Sequence, residues 1–598
     1  MSRKLVYLMV LVVVLMEVLG VLTNVHKGEA ASGTIYIKAN GDVEGTDKIQ
    51  RDGDTYTLTD NIYDSIVVER DNIVVDGVGY AIQGTGTVGT AIDLSYRSNV
   101  TVRNVKISGF TGGIQLYSSS GNTLSNTTIT GPIDSFPGLE GGISLEASSG
   151  NTIVNNNISN FRFAGIYLQR FSSENTLTGN NISSSAQYPL VFLRDGIHLY
   201  SSSSNEINNN VFANSGLFVR YSYNNSIENN KVNGKSLLYF EGISNYMIKG
   251  TEHVAGQIIV VNSYNITIEN MDLSSTNIGI EFFETGSSRI TNCNLTSIAD
   301  GIHLGASSNN IIENNILSDN EIMVTESKNN IIMNNILLST DLHVHHYSST
   351  ANVGIHILRN NFTQCKLVLD RSSDNYIYFN NFISSDVESA VYKTANIWNT
   401  PLKIAYVYED NSYINNLGNY WGDYNGSDSN NDGVCDLPCN IVWDDKDNNP
   451  LMKTFGYYTF LGEINVYDVF WESTNYPVSV YSNSSVTQFN FEQSLAQMSF
   501  EVFGETATVG FCNVTIPKAL LKDNPWTVKI DDEPWAFTTS DNTTHSFIYF
   551  TYAHSSSHQV VIEGTWVVPE FPSFLILPLF MIATLLAVIV YRRKHVQP

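Results

Sequence analysis

Charge is scarce in this chain. Asp, Glu, Lys and Arg together make up 15% of 598 residues, against about 25% in a typical globular domain. Ser, Thr, Asn, Gly and Tyr fill the gap, a mix that suits an extracellular all-β protein. Positive charge is scarcer still: 32 Lys and Arg stand against 58 Asp and Glu, for a net charge of −26. Such a surface repels phosphate backbones, which speaks against nucleic acid as a partner, and it attracts cations. It also disfavours a polyanionic substrate unless a metal bridges the two. Cysteine is rare and odd in number, with five residues. Cys435 and Cys439 are near enough in sequence for a local disulfide in an oxidising compartment. Cys293 and Cys365 sit in apolar repeat contexts and read as buried thiols. Helical periodicity is missing as well. The apolar stretches are short and alternate with period two, which makes short strands.

Only the two ends carry long apolar runs. Ser2-Arg3-Lys4 precedes an apolar run from Leu5 to Leu22, and small residues follow at Ala30, Ala31 and Ser32. This is the pattern of a secretory signal peptide, with an uncleaved anchor as the alternative. Near the C-terminus, Pro569-Glu570-Phe571-Pro572 leads into an uncharged run from Ser573 to Val590, followed by Arg592, Arg593 and Lys594. That length spans a bilayer, and the basic cluster stays cytoplasmic. The expectation is a cell-surface protein held by a C-terminal transmembrane helix. Asn-x-Ser/Thr sequons such as Asn126, Asn181, Asn294 and Asn513 fit a glycosylated exterior.

What is abundant is repetition. A small-apolar-x-apolar phrase recurs as Gly113-Ile114-Gln115-Leu116, Gly142-Ile143-Ser144-Leu145, Gly165-Ile166-Tyr167-Leu168 and Gly196-Ile197-His198-Leu199. It returns as Gly279-Ile280-Glu281-Phe282, Gly301-Ile302-His303-Leu304 and Gly354-Ile355-His356-Ile357. A second phrase, such as Asn151-Thr152-Ile153 or Asn330-Ile331-Ile332, follows a Ser/Asn turn, and an Asn pair such as Asn334-Asn335 comes next. The closest equivalents lie about 20 to 24 residues apart. Leucine-rich repeats share that period, but their Leu content and helical return are absent. A coil of short strands with Asn, Gly and Ser corners closes on itself and stacks on the next at about 4.8 Å. The reading is one continuous apolar column of roughly thirteen coils.

These phrases resemble the NosD-type, pectin-lyase-like β-helix proteins. Gly418-Asn419-Tyr420-Trp421-Gly422-Asp423-Tyr424 resembles the tail that closes such helices, and so does Asp432-Gly433-Val434-Cys435-Asp436-Leu437-Pro438. The resemblance covers roughly residues 35 to 455, and with the C-terminal anchor it looks like an archaeal surface-anchored type. It implies a right-handed parallel β-helix. Its members include copper-maturation factors, carbohydrate-binding and sugar-hydrolysis modules, and alginate epimerases, so it fixes no single activity. Cys435 and Cys439 depart from the usual tail.

The full order read from the sequence is a signal peptide (1–31), a β-helix cap (32–95), repeats (96–395), and a closing tail (396–455). A β-sandwich stalk (456–567) and a transmembrane anchor (568–598) follow.

Several constellations carry chemistry. Asp195 to His198 and Asp300 to His303 repeat the phrase Asp-Gly-Ile-His, and Arg194 precedes the first. Acid, base and cation on one face would serve proton transfer with a charge clamp. Tyr167, His198 and Tyr200 lie on the same outward stripe and would stack sugar rings. The Asp-Pro-His-Asp signature of the epimerases and the Gly-His-Gly of the polygalacturonases are missing. Asp428, Asn430, Asp432, Val434 and Asp436 alternate as oxygen ligands around Gly433, the opening of a calcium loop, although its twelfth-position Glu is absent. His343 and His345 share a strand face and would suit copper. The leading functional expectation is a polysaccharide- or envelope-glycan-binding protein. Beside it stand a polysaccharide lyase, hydrolase or epimerase, a structural or adhesion protein, and a copper-handling factor.

Overall fold

The computed structural model describes residues 33–566, apart from 85–88, 132–140, 162, 185–194, 275, 298, 348–350, 389–394, 401–402, 461, 472–473, 505–507 and 555–556. The two hydrophobic ends, on which the export and anchor expectations rest, lie outside the described residues, and so does Arg194. Among the described residues no helix is long and apolar enough to cross a membrane. The chain divides into two compact units between Phe460 and Leu461.

The first unit is a right-handed parallel β-solenoid. Each repeat phrase makes one strand of a coil, and equivalent strands stack in register. Ile114, Ile143, Ile166, Ile197 and Leu217 follow one another across one sheet. Leu124, Ile153, Leu177, Ile207 and Ile227 do so in the second, and Ile129, Ile158, Ile182, Phe212 and Val232 in the third. Nearly all are wholly buried. Burying each such side chain contributes about 1.5–3 kcal/mol, while ordering each residue costs about 1–2 kcal/mol of backbone entropy. One coil therefore cannot stand alone, and the stack is the cooperative unit.

Asparagine holds the corners. Asn126, Asn155, Asn209 and Asn314 adopt left-handed φ of 54–57°, a region this side chain tolerates. A second set points inward and forms amide ladders. Asn151 Nδ2 donates to Asn175 Oδ1 at 3.1 Å, and Asn175 Nδ2 to Asn205 Oδ1 at 3.1 Å. The same oxygens accept the backbone N–H of the preceding coil. The amides of Asn151 and Asn175 are thereby paired, as a dry interior requires.

The column is not continuous, which corrects the sequence reading. Lys231–Val232 pairs antiparallel with Lys235–Glu241 across a two-residue turn, Asn233-Gly234. Both turn residues have positive φ, 50° and 81°, the signature of a type I′ hairpin. Beyond it the fifteen-stranded third sheet runs on with its strands reversed. Successive residues of Ala255–Val261 now serve two cores. Ile259 and Val261, with Phe283, pack into the first. Ile258 and Val260, with Phe282, pack into a second. The solenoid thus steps sideways. Its second stack lies on the opposite face of the shared sheet, and outward-facing residues of that stack close the end of the first core.

At the far end, Phe362, Phe382 and Trp421 stack at 4.8 and 4.4 Å and seal the second core. All five cysteines are free thiols. The bridge anticipated between Cys435 and Cys439 is not formed, because Cys435 Sγ faces Met452 Sδ at 3.3 Å and Cys439 Sγ faces the Asn440 carbonyl at 3.8 Å. Burial pushes both thiols up to about 11. The second unit contains two five-stranded antiparallel sheets, whose inward residues, among them Val480, Phe500, Val514, Ile548 and Ile562, share one core.

Candidate functional site

The step between the stacks gathers polar residues that are far apart in sequence. His198 takes the outward position of the Asp195–Tyr200 strand, in register between Tyr167 and Phe218. Its ring sits among Phe163, Tyr167 and Phe218, with centroids 5.2, 5.0 and 4.6 Å away. Its Nδ1 lies 2.7 Å from Asp195 Oδ2. A carboxylate there accepts an Nδ1–H and so sets which ring nitrogen faces away from it.

The second stack completes the cluster. Asn277 Nδ2 donates to Asp195 Oδ1 at 2.5 Å. Gln257 binds both backbone groups of Leu217, accepting its N–H at 2.9 Å and donating to its carbonyl at 2.7 Å. Gly216 is required here, since a Cβ would sit 2.3 Å from Gln257 Oε1 and 2.4 Å from Asn277 Oδ1. Glu281 accepts the Val219 N–H at 3.3 Å with one oxygen, while its other oxygen is buried and unpartnered. Burial first, and then the Asp195 carboxylate, push its carboxyl well above the usual range. His303 stacks on Phe218 at 5.6 Å, its Nε2 lies 3.3 Å from Thr325 Oγ1, and its Nδ1 is buried without a partner. Burial and then the Arg220 charge lower it to about 3. Partly buried Asp300 is pushed well up by desolvation, then by Glu321 and Asp195. Arg220 donates to the Tyr347 hydroxyl and lies over its ring.

The structure therefore brings Asp195, His198, Asp300 and His303 into one neighbourhood. The cation in this cluster is Arg220, which the sequence reading missed, as it missed Gln257, Asn277 and Glu281. Glu281 carried a usable signal, because it fills the same phrase position as His303 and pairs with it in register. Asp195 and His198 are only 3% and 4% exposed, so the dyad lies beneath the surface. The surface above it belongs to half-buried Tyr167 and Tyr200. Tyr167 donates to Gln169 at 2.9 Å, Gln169 to Glu146 at 3.1 Å, and Arg170 pairs with Glu146 at 2.5 Å. Tyr200 meets Tyr221 edge-on at 5.9 Å.

The acidic loop curls on itself. Asp428 accepts the N–H groups of Asp432 and Gly433 at 3.1 and 2.8 Å. Asn430 donates to Asp432 Oδ2 at 3.1 Å, and Asp432 accepts the Val434 N–H at 2.9 Å. The oxygens of Asp428, Asn430 and Asp432 are thus engaged by N–H donors, those of the loop itself and Asn415 Nδ2 at 3.0 Å. Asp436 is turned away onto Ser427 and Ser429 at 2.7–3.2 Å. The three neighbouring histidines do not converge. His343 Nδ1 pairs with Glu321 at 2.9 Å, His345 Nδ1 with Asp370 at 2.9 Å, and His346 Nε2 with Glu326 at 3.4 Å. Burial disfavours the charged His343, but Glu321, Asp341 and Glu388 outweigh it and raise its pKa. Among the described residues no group of three His, Cys, Asp or Glu side chains is gathered around a metal position.

Two family profiles match this coil geometry. Residues 90–252 match the right handed beta helix region, and residues 234–426 match the periplasmic copper-binding protein NosD. Each profile spans less than half of the chain, and together they show a right-handed parallel β-helix with NosD-type repeats. The two matches overlap at the step itself, so one profile describes each stack. No curated protein sequence matches it. Among solved structures it is similar to a tailspike of Acinetobacter baumannii bacteriophage Fri1, a capsular polysaccharide depolymerase. That likeness has 9% identity, 86% of this chain and 80% of that chain covered, and a TM-score of 0.22. It is also similar to the periplasmic alginate epimerase AlgG, as its T265N mutant, with 13% identity, 60% and 84% coverage and a TM-score of 0.20. The A-module of the Azotobacter vinelandii mannuronan C-5 epimerase AlgE6 gives 11%, 58% and 86%, and 0.19. Likeness at this level carries nothing about function.

Proposed function

We propose that this protein is an extracellular glycan-binding solenoid. Polysaccharide lies along the outward face of the first sheet, over Tyr167 and Tyr200. The observation that carries this reading is the outward tyrosine surface, held by Gln169, Glu146 and Arg170 and anchored below by the rigid Asp195–His198 pair. Flat rings flanked by amide, carboxylate and guanidinium groups offer an apolar floor with hydrogen-bonding edges, the two things a sugar ring needs. An exported, C-terminally anchored chain with a β-sandwich stalk would present that face outside the cell.

A glycan array followed by calorimetry on the best hit tests this. Tyr167→Ala and Tyr200→Ala should each weaken binding about tenfold, roughly 1.4 kcal/mol. An array without a single carbohydrate ligand would sink the proposal.

The Asp195–His198 dyad supports a second reading, a lyase, hydrolase or epimerase with His198 Nε2 as base. New reducing ends or altered uronic-acid stereochemistry, abolished by His198→Ala, would establish it. Calcium at Asp428, Asn430 and Asp432 belongs to the proposal as a clamp on the closing tail. Millimolar calcium should raise the melting temperature of the parent and leave Asp432→Ala unmoved; equal behaviour of the two would remove calcium from the account.

A further inference from the structure

We infer that the outward face of one sheet of the second stack is a self-association surface, on which two copies of this chain pair. That sheet contains the strands Asn294–Thr296, Ile316–Ser318, Ile336–Leu338, Asn361–Thr363 and Asn381–Ile383, stacked in parallel register. Ile316 lies beside Ile336, Leu338 shares a strand with Ile336, and Ile383 continues the Leu338 row. These four side chains are 38–45% exposed. A single exposed apolar residue is ordinary, but four in one register form a patch. The solenoid does not need them for its interior, because the alternate residues Leu317, Leu337, Phe362 and Phe382 fill the core.

Charge decides the partner. The chain carries a net charge of −26, so two copies repel unless they meet where charge is absent. The outward positions of these strands hold only Asn, Ser, Thr, Ile and Leu. The adjacent sheet presents Glu269, Arg289 and Glu313, and the shared sheet presents Glu321 and Asp341. A two-fold contact sets a face against itself. Between the central strands it places Ile316 of one copy against Ile336 of the other, and Asn294 against Asn361, an apolar centre with an amide rim and no like charges opposed. A cationic protein would be drawn to the acidic faces instead. At about 4.8 Å between strands and about 3.3 Å per residue, the face offers roughly 250 Å² per copy. A stable complex buries about 800 Å² per partner, so this pairing is weak and reversible. The glycan proposal concerns the first stack and does not bear on this face.

The test is cysteine cross-linking of the full chain in nonionic detergent. The protein is made without N-glycosylation, because Asn294 and Asn361 each open an Asn-x-Thr sequon beside the patch. The native thiols are all buried, which keeps the background low. Ser318→Cys treated with a short bis-maleimide should give a dimer whose fraction rises between about 1 µM and about 1 mM protein. The fraction should rise again when salt goes from about 0.1 M to about 1 M, since screening weakens the repulsion between the copies. Adding Ile336→Glu, at an exposed position outside the core, should cut the dimer at least about tenfold with unchanged circular dichroism. Thr267→Cys, outward on the adjacent sheet, should cross-link far less than Ser318→Cys. No dimer at any concentration, equal cross-linking through Thr267→Cys, a yield unmoved by Ile336→Glu, or a yield that falls with salt would each overturn the inference.

Discussion

Asn at a corner and Asn inside the column do different work. The first supplies a left-handed backbone, and the second supplies donors and acceptors in a dry core. The sequence displays both as one Asn-Asn signature, so the ladder was legible as a repeat but its ending was not. Asp447 ends it. Its carboxylate is fully buried and accepts the Asn419 N–H at 2.7 Å, Trp421 Nε1 at 3.0 Å and the Asn449 N–H at 3.0 Å. Burial outweighs these bonds and raises its pKa to about 6. A raised pKa means that the folded state holds the proton more tightly than the unfolded chain. The stabilisation from protonation is therefore full below about pH 4 and fades as pH rises through about 6. A two-unit shift corresponds to about 3 kcal/mol at most. Denaturant unfolding between pH 4 and pH 7 should show that slope in the parent and a flatter profile in Asp447→Asn. Identical slopes would mean that Asp447 does not titrate in this range.

At the level of elements, the strands were readable because an inward position every second residue leaves little choice. Ile143 does stack on Ile166. The hairpin at Asn233-Gly234 was overlooked, although Asn-Gly between strand-like runs is a strong local signal. The repeat pattern around it simply looks degenerate, because the chain is changing direction there. Nothing lies within 4 Å of a Cβ built on Gly234, whose φ is 81°. Substitution would therefore act through backbone strain alone. Gly234→Ala should cost about 1–2 kcal/mol, while Gly456→Ala, at an exposed glycine equally open but without a positive φ, should cost little. Urea denaturation compares the two, and a Gly234→Ala chain as stable as its parent would contradict the turn assignment.

For the whole molecule, one stacked column was the natural inference from a uniform period. Two columns on opposite faces of one sheet need a single reversal, which a period cannot reveal. That reversal decides the candidate site. Asp195 and His198 were legible because their phrase is repeated at Asp300 and His303. Asn277 and Gln257 were not, because they come near only when the second stack covers the end of the first. The dyad is thus oriented by residues of the other stack, and its rigidity belongs to the step rather than to either column.

The most direct test of that step is a double-mutant cycle between Asp195 and Asn277, whose side chains meet at 2.5 Å across it. Stability measured for Asp195→Asn, Asn277→Ala and the double variant should give a coupling energy of about 1–3 kcal/mol. Additive losses, with no coupling beyond about 0.5 kcal/mol, would show that the two stacks do not meet there.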